Sequence, residues 1–440
     1  VAGLLKWDSL ISGSGIPQVE GEIIGEIDEC WWRVLIAKLG GGILSLGCGL
    51  SLGREGPSIQ LGAMAAKGFS RLTRRVKTEE KLLITCGASA GLSAAFNAPI
   101  AGILFSLEEV HKHFSPELLL SSMAASITSD FVSRNVFGLK PVFTFTITHM
   151  MPLNTYGHVL LLGVLIGTMG VVYNTVLSKT QDLYGKIPWP VVRVLIPFMF
   201  AGVFGFLYRG VLGGGHALVE EMSAGDFVLG SLCLLLVVKF CFSMVSFGSG
   251  APGGIFLPLL VLGAIIGSIY YRVAELISPS LSGLLVNFII LGMAGYFSAI
   301  VRAPITGIIL ISEMSGSFSH LLTLSMVSLA AYLVPDMLRC APVYDQLLHR
   351  LLAKQNPDNK ATLTGEKVLV EGMIYHGSAA EGQKVAAIAW PRTCLVVSLM
   401  RGDAEFVPRG DTILRAGDKI VVLCDGTSEG QLHRTLQEYC

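Results

Sequence analysis

Three stretches rich in glycine and proline interrupt an otherwise apolar chain: Gly13-Ser14-Gly15-Ile16-Pro17, Gly53-Arg54-Glu55-Gly56-Pro57 and Gly250-Ala251-Pro252-Gly253-Gly254-Ile255-Phe256-Leu257-Pro258. Each stands at the start of a long apolar run. Glycine and proline both resist helix interiors, and a helix broken in hydrocarbon leaves backbone amides unpaired. Such breaks survive only inside protein or around a cavity. A helix that begins at one aims free N–H groups and a partial positive charge at whatever lies there. The natural occupant is an anion, held among discontinuous helices near mid-membrane depth.

Composition supports the membrane setting. Of 440 residues, 52% are hydrophobic and 15% charged, whereas soluble domains carry about 25% charged residues. Acidic and basic residues balance at 32 each, so no basic excess points to nucleic acid. The nine cysteines are scattered without metal-ligand spacing and read as reduced, apolar fillers. No metal or cofactor is expected. No signal peptide is visible, and the chain opens close to a break motif, so a preceding N-terminal segment is expected.

Apolar runs recur from Trp31 to Leu338: Val34–Leu52, Leu82–Ala95, Val159–Val176, Val191–Leu207, Leu229–Val245, Gly253–Tyr270, Phe288–Val301 and Leu321–Val334. Several fall short of the ~20 residues that span a bilayer, which predicts tilted, partial and re-entrant helices. The cluster Arg71, Arg74, Arg75 and Lys77 is expected on the cytoplasmic side, with His111-Lys112-His113 on the same side by parity. Both read as ordinary solvated loops.

The two halves repeat. Ala98-Pro99-Ile100-Ala101-Gly102-Ile103 and Glu108 match Ala303-Pro304-Ile305-Thr306-Gly307-Ile308 and Glu313. Gly53, Pro57 and Leu61-Gly62-Ala63 match Gly254, Pro258 and Leu262-Gly263-Ala264 at nearly the same offset. Two such pairs argue for an internal duplication, of the kind that often runs in opposite directions and cradles a substrate. The fold expected is an all-α polytopic membrane protein with an inverted repeat and broken helices, over residues 1–352. Residues 353–367 read as a linker. Residues 368–440 read as a small soluble α+β domain, with strands at Val368–Ile374, Thr393–Met400 and Lys419–Cys424, Gly-Asp turns at Gly410-Asp411 and Gly417-Asp418, and a closing helix over Gln431–Tyr439.

Glu55 is the sharpest chemical signal. At a helix start beside a break, its carboxylate can occupy the anion site itself, and protonation would release it, coupling anion occupancy to a proton. The alternative is a glutamate that merely caps its own helix. Ser14 could cap a helix or donate to an anion. The side chains of Ile255 and Phe256 suit an apolar core while their amides face the site. Tyr344 opens a short helix after the last apolar run. Glu108 and Glu109 end an apolar run, where an acid can mark the interface or pass protons inward. Gly87-Ala88-Ser89-Ala90-Gly91 fits a hydrolase pattern, but no histidine lies within an apolar run to serve as its base, and the spacing also suits close helix packing.

Together GSGIP, GREGP, GGIFLP and the late tyrosine resemble the CLC family of chloride channels and proton-coupled chloride exchangers, from Gly13 to Leu352. The resemblance implies that Ser14 and Tyr344 hold a central chloride by their hydroxyls. It implies that the amides around Glu55, Ile255 and Phe256 bind chloride from the outer side, and that Glu55 is the external gate and proton acceptor. Glu109, rather than Glu108, takes the place of the internal proton relay. An acid there favours a chloride/proton antiporter over a passive, gated channel of the same fold, and serine at position 14 fits chloride preference. A homodimer in the cell (inner) membrane is implied, with one pathway per subunit. The C-terminal Gly-Asp repeats resemble the RCK_C (TrkA-C) module, a prokaryotic feature, expected in the cytoplasm with a small-molecule ligand, a dimer-closing role or neither. A sensor whose membrane part only anchors that domain is a further reading.

Overall fold

The computed structural model describes residues 1–112, 114–138, 142–143, 145, 151–225, 227–355, 367–391, 393–402, 404–425, 432, 435, 436 and 439. His113, most of the expected linker and most of the closing helix over Gln431–Tyr439 lie outside the described residues. Two compact units emerge, Val1–Leu351 and Leu352–Cys440.

The first unit opens with α1 (Ala2–Trp7), α2 (Ile16–Ile24), α3 (Trp31–Gly47), α4 (Glu55–Leu72), α5 (Lys77–Phe96), α6 (Pro99–Phe105) and α7 (Pro116–Phe137). A π-helical turn, Ser106–Val110, extends α6. The long α8 (Tyr156–Gly185) follows. Then come α9 (Pro190–Leu207), α10 (His216–Ser223), α11 (Leu229–Gly248), α12 (Phe256–Ile277), α13 (Leu285–Val301), α14 (Pro304–Ser315), α15 (Leu321–Met337) and α16 (Val343–Gln355). Among the described residues, four helices, one of them lengthened at its start (Leu153–Gly185, Pro190–Leu207, Leu229–Gly248 and Phe256–Ile277), have the length and apolarity to cross a membrane. In α9 only Val194, Pro197 and Ala201 are buried, while Leu195, Met199, Val203, Phe206 and Leu207 are exposed. A helix apolar on every side needs an apolar surrounding, here the hydrocarbon of a bilayer.

The repeat is structural as well as sequential. Helices α2 to α7 recur in order as α10 to α15. Equivalent positions share backbone quirks: Gly15 and Gly215, with φ of +95° and +90°, start α2 and α10. Asn97 and Arg302, with φ of +52° and +73°, end α5 and α13. Arg302 is held in that left-handed turn because its guanidinium donates to Tyr332 O at 3.1 Å and Cys340 O at 2.9 Å. The equivalent glycines Gly53 and Gly254 pair with each other, in antiparallel sense, through two N–H···O bonds of 2.7 Å. Antiparallel pairing of equivalent residues places a local two-fold axis between the repeats, so the halves are inverted relative to each other.

Each repeat also finishes the other. The Glu108 carboxylate accepts from the amides of Ile305 (3.3 Å) and Thr306 (2.8 Å) and from the Thr306 hydroxyl (2.7 Å) at the start of α14. In return Glu313 accepts from the amides of Ile100 (3.1 Å) and Ala101 (2.8 Å) at the start of α6. Carboxylates there satisfy orphan N–H groups and oppose the positive helix end. Small residues let the paired helices touch. A Cβ on Gly87 of α5 would lie 2.7 Å from Ala66 Cβ and 2.8 Å from Gly62 C of α4, and Gly292 meets Gly263 in the same way across α12 and α13. Gly87 and Gly91 thus serve helix contact, and Ser89 is buried without a hydrogen-bond partner.

The second unit is a four-stranded antiparallel sheet, ordered β1 (Lys367–Met373), β4 (Lys419–Asp425), β2 (Leu395–Arg401), β3 (Ala404–Phe406). The short β3 carries no apolar alternation and escaped the sequence reading. Val370, Ile374, Leu399, Leu414, Ile420 and Val422 belong to this unit's own core. The second Gly-Asp turn is pinned by Asp418, whose carboxylate takes two bonds from Arg401 (2.8 and 2.7 Å) and one from the Arg415 amide (2.8 Å). Burial of that carboxyl works against its charge, but the Arg401 fork and the amide outweigh it and hold the group below the ordinary carboxylate range.

Candidate anion and proton site

The three breaks meet. Gly53 and Gly254 form the two-bond pair, while the Gly13 amide donates to Gly250 O (3.3 Å) and the Gly253 amide to Gly13 O (3.0 Å). The third break therefore ties the first to the second. A Cβ on Gly56 would strike Ser14 O at 2.7 Å and Ser14 Cβ at 2.9 Å, and one on Gly254 would lie 3.1 Å from the Gly56 amide. Glycine is required at both positions because three backbone segments converge there.

From this junction α2, α4 and α12 start. The first amides of each helix lack intrahelical acceptors, so three positive helix ends share one region. Ser14 is buried, and its Oγ accepts from the Ile16 amide at 3.3 Å. It stands just before the N-cap Gly15, and its hydroxyl proton is left to donate. Ile255 is the residue before α12 and Phe256 its first; both side chains are buried. The Phe256 ring meets Phe96, Phe105 and Phe297 at 5.1, 5.8 and 4.6 Å between centroids. Phe105 in turn meets the Tyr344 ring edge-on at 6.4 Å. Tyr344 is fully buried, and its hydroxyl has no hydrogen-bond partner.

Glu55, the first residue of α4, is 0% exposed. Its carboxylate lies beside the amides of Glu55 itself and of Leu257, in the first turn of α12. Neither oxygen completes a well-aligned hydrogen bond. A Cβ on Gly53 would collide with Glu55 Oε2 and approach the Leu257 amide at 3.2 Å. The carboxylate thus rests against the start of the other repeat's helix. Arg54 turns away and donates to Ala95 O at 3.0 Å, so its charge acts on the carboxylate through space rather than by a hydrogen bond.

Glu108 and Glu109 separate cleanly. Glu108 is committed to capping α14. Glu109, in the π-helical turn, is 4% exposed, and its Oε1 lacks a partner. The charges acting on it are those of Lys112, Asp345, Glu20 and Glu108. Lys112 itself bridges Glu20 of α2 and Asp345 of α16. Both Glu55 and Glu109 act electrostatically on Tyr344, which places the tyrosine in reach of each.

Lys38 and Lys239, buried among carbonyls, escaped the sequence reading. Lys38 Nζ donates to Ile11 O (2.9 Å) and Gly13 O (2.7 Å), and Lys239 Nζ to Val211 O (2.8 Å) and Gly213 O (2.7 Å). They are equivalent in the two repeats. Each ammonium collects the carbonyls of a break whose amides start the next helix. A lone lysine inside each of two apolar runs was the available signal. The second lysine also marks a fourth break, Gly213-Gly214-Gly215, that proline did not flag. Among the described residues no group of histidines, cysteines and acids could hold a metal.

Residues 2–336 match the family model for the voltage gated chloride channel, and residues 369–437 match the TrkA-C domain. The H(+)/Cl(−) exchange transporter ClcA of Vibrio cholerae serotype O1 (strain M66-2) is 39% identical over 353 residues, covering 78% of this chain and 75% of that protein. The H(+)/Cl(−) exchange transporter ClcA of Yersinia pseudotuberculosis serotype IB (strain PB1/+) is 37% identical over 374 residues, covering 83% and 78%. Among solved structures, a slow cyanobacterial Cl−/H+ antiporter superposes with a TM-score of 0.75 at 33% identity, covering 80% of this chain and 84% of that one. The chain therefore belongs to the voltage gated chloride channel (CLC) family and carries a TrkA-C domain at its C-terminal end.

Proposed function

We propose that this protein is a chloride/proton antiporter. The observation that carries the reading is the Glu55 carboxylate, buried at the junction of the breaks and set against the first amides of α12. A carboxylate and a chloride want the same N–H groups. The ionised side chain excludes the anion, and the protonated side chain, a much weaker acceptor, yields to it. Each exchange of chloride for carboxylate at that place moves one proton onto or off Glu55. Ser14 and Tyr344 offer hydroxyl donors, and the amides around Ile255 and Phe256 complete the cradle. Glu109 relays protons from the other side, and Tyr344 lies in electrostatic reach of both acids. The names of the relatives, exchange transporters rather than channels, favour antiport over passive conduction. No cofactor is required. We further propose a homodimer in the cell (inner) membrane, with the TrkA-C domain cytoplasmic and open to a small-molecule ligand.

Reconstitution into proteoliposomes tests this. A chloride gradient should drive uphill proton movement. Glu55→Gln should leave chloride flux and remove proton coupling, and Glu109→Gln should remove proton transport alone. Chloride flux with no linked proton movement in the unaltered protein would leave a channel.

A further inference from the structure

A second buried carboxyl lies behind the Ser14 break, apart from Glu55 and Glu109. Glu29, in the segment between α2 and α3, is 2% exposed. Its Oε2 accepts from Gln60 Nε2 at 2.6 Å, and its Oε1 has no partner. The same Gln60 nitrogen donates to Leu10 O at 3.1 Å. Gln60 also lies beneath Gly15, where an added Cβ would strike it. One side chain thus joins Glu29 to both flanks of Ser14.

The charges facing Glu29 are all accounted for by three helices and its own loop. From α2, Glu22 accepts from the Glu29 amide at 2.6 Å, and its other oxygen pairs with Lys67 at 2.6 Å. From α4, Lys67 spends its remaining donors on Glu29 O (2.7 Å) and on Asp28 (2.6 Å). From α3, Lys38 acts on Glu29 through space while its protons go to Ile11 O and Gly13 O. Lys67 is bonded to Glu22 and Asp28, and its charge still acts on Glu29 through space. Lys38, which donates to the Ile11 and Gly13 carbonyls rather than to a carboxylate, is the cation whose field is shared between Glu29 and an anion at the break. Asp28, next in sequence and 81% exposed at its side chain, gives the cluster an edge on solvent.

We propose that Glu29 is a positioning residue for the anion site: ionised, it cancels the Lys38 field and repels chloride at Ser14; protonated, it leaves that field to the anion. The inference rests on the reading of Ser14 as an anion site. At an effective dielectric of about 20, a unit charge roughly 12 Å from an anion changes its affinity about tenfold. Protonation that raises affinity requires, by linkage, that chloride binding draw protons onto the protein.

The test uses full-length protein with Glu55→Gln, so that the gate carboxylate does not contribute, and titrates chloride calorimetrically across pH 5.5 to 8. Affinity should fall several-fold as pH rises, and adding Glu29→Gln should make that fall markedly smaller. Glu29→Asp, which keeps a carboxyl, should restore the dependence. Should Glu29→Gln fail to fold, chloride added to unbuffered Glu55→Gln, Glu109→Gln protein should still cause proton uptake. An unchanged pH dependence with Glu29→Gln, or no proton uptake, overturns the proposal. Chloride binding unaffected by Ser14→Ala instead overturns the Ser14 reading, and this proposal with it.

Discussion

Adjacent residues in this chain carry unrelated duties. Glu108 and Glu109 sit side by side, yet the π-helical turn rotates one toward α14 and the other into the protein. Replacing Glu108 with glutamine keeps one acceptor oxygen but loses the charge facing two helix amides. That should cost about 1–2 kcal/mol, read as a lower melting temperature in detergent, with the proton-to-chloride ratio unchanged. Glu109→Gln should show the reverse, normal melting and lost proton transport. In the sequence the pair is a bare Glu-Glu; the repeat match of Glu108 with Glu313 was the legible clue to its structural duty. Asp418 supplies a pH prediction. Its carboxyl is held below the ordinary value of about 3.9 by Arg401 and an amide, after burial is overcome. A depressed folded-state value means its contribution is complete at neutral pH and is lost as pH falls through that value. Asp418→Asn should therefore destabilise the sheet by about 2 kcal/mol at pH 7, and by progressively less below about pH 4. Hydrogen exchange of β1, β2 and β4 in the intact protein measures both.

Among elements, helix starts were more legible than helix contacts. Glycine and proline flagged α2, α4 and α12, because those residues act through local backbone geometry. The α10 start, made of Gly213-Gly214-Gly215 without proline, passed unnoticed. So did α7, whose serines, Asp130 and Arg134 dilute its apolar pattern. The meeting of the breaks was beyond reach from sequence, since it depends on bonds between residues about 200 positions apart, such as Gly53 with Gly254. Small residues between α4 and α5 yield a sharp test. Gly87→Ala puts a methyl against Gly62 and Ala66. Overpacking of this kind costs about 1–3 kcal/mol. The variant should melt lower and, because α4 carries Glu55, should also lose chloride flux. Ser89→Ala, by contrast, removes a buried hydroxyl without a partner and should leave melting and flux unchanged.

At the scale of the whole molecule, two units with separate cores predict separable behaviour. Deleting residues 367–440 should leave chloride and proton flux in proteoliposomes within about twofold of the intact chain, because each unit carries its own core. Collapse of transport would assign the TrkA-C domain a structural role. The inverted duplication has its own consequence through the caps exchanged by Glu108 and Glu313. Neither half can terminate its own short helix; each borrows the carboxylate from its twin. A half-length forebear of this chain would have been incomplete alone and complete only beside a second copy inserted the other way up.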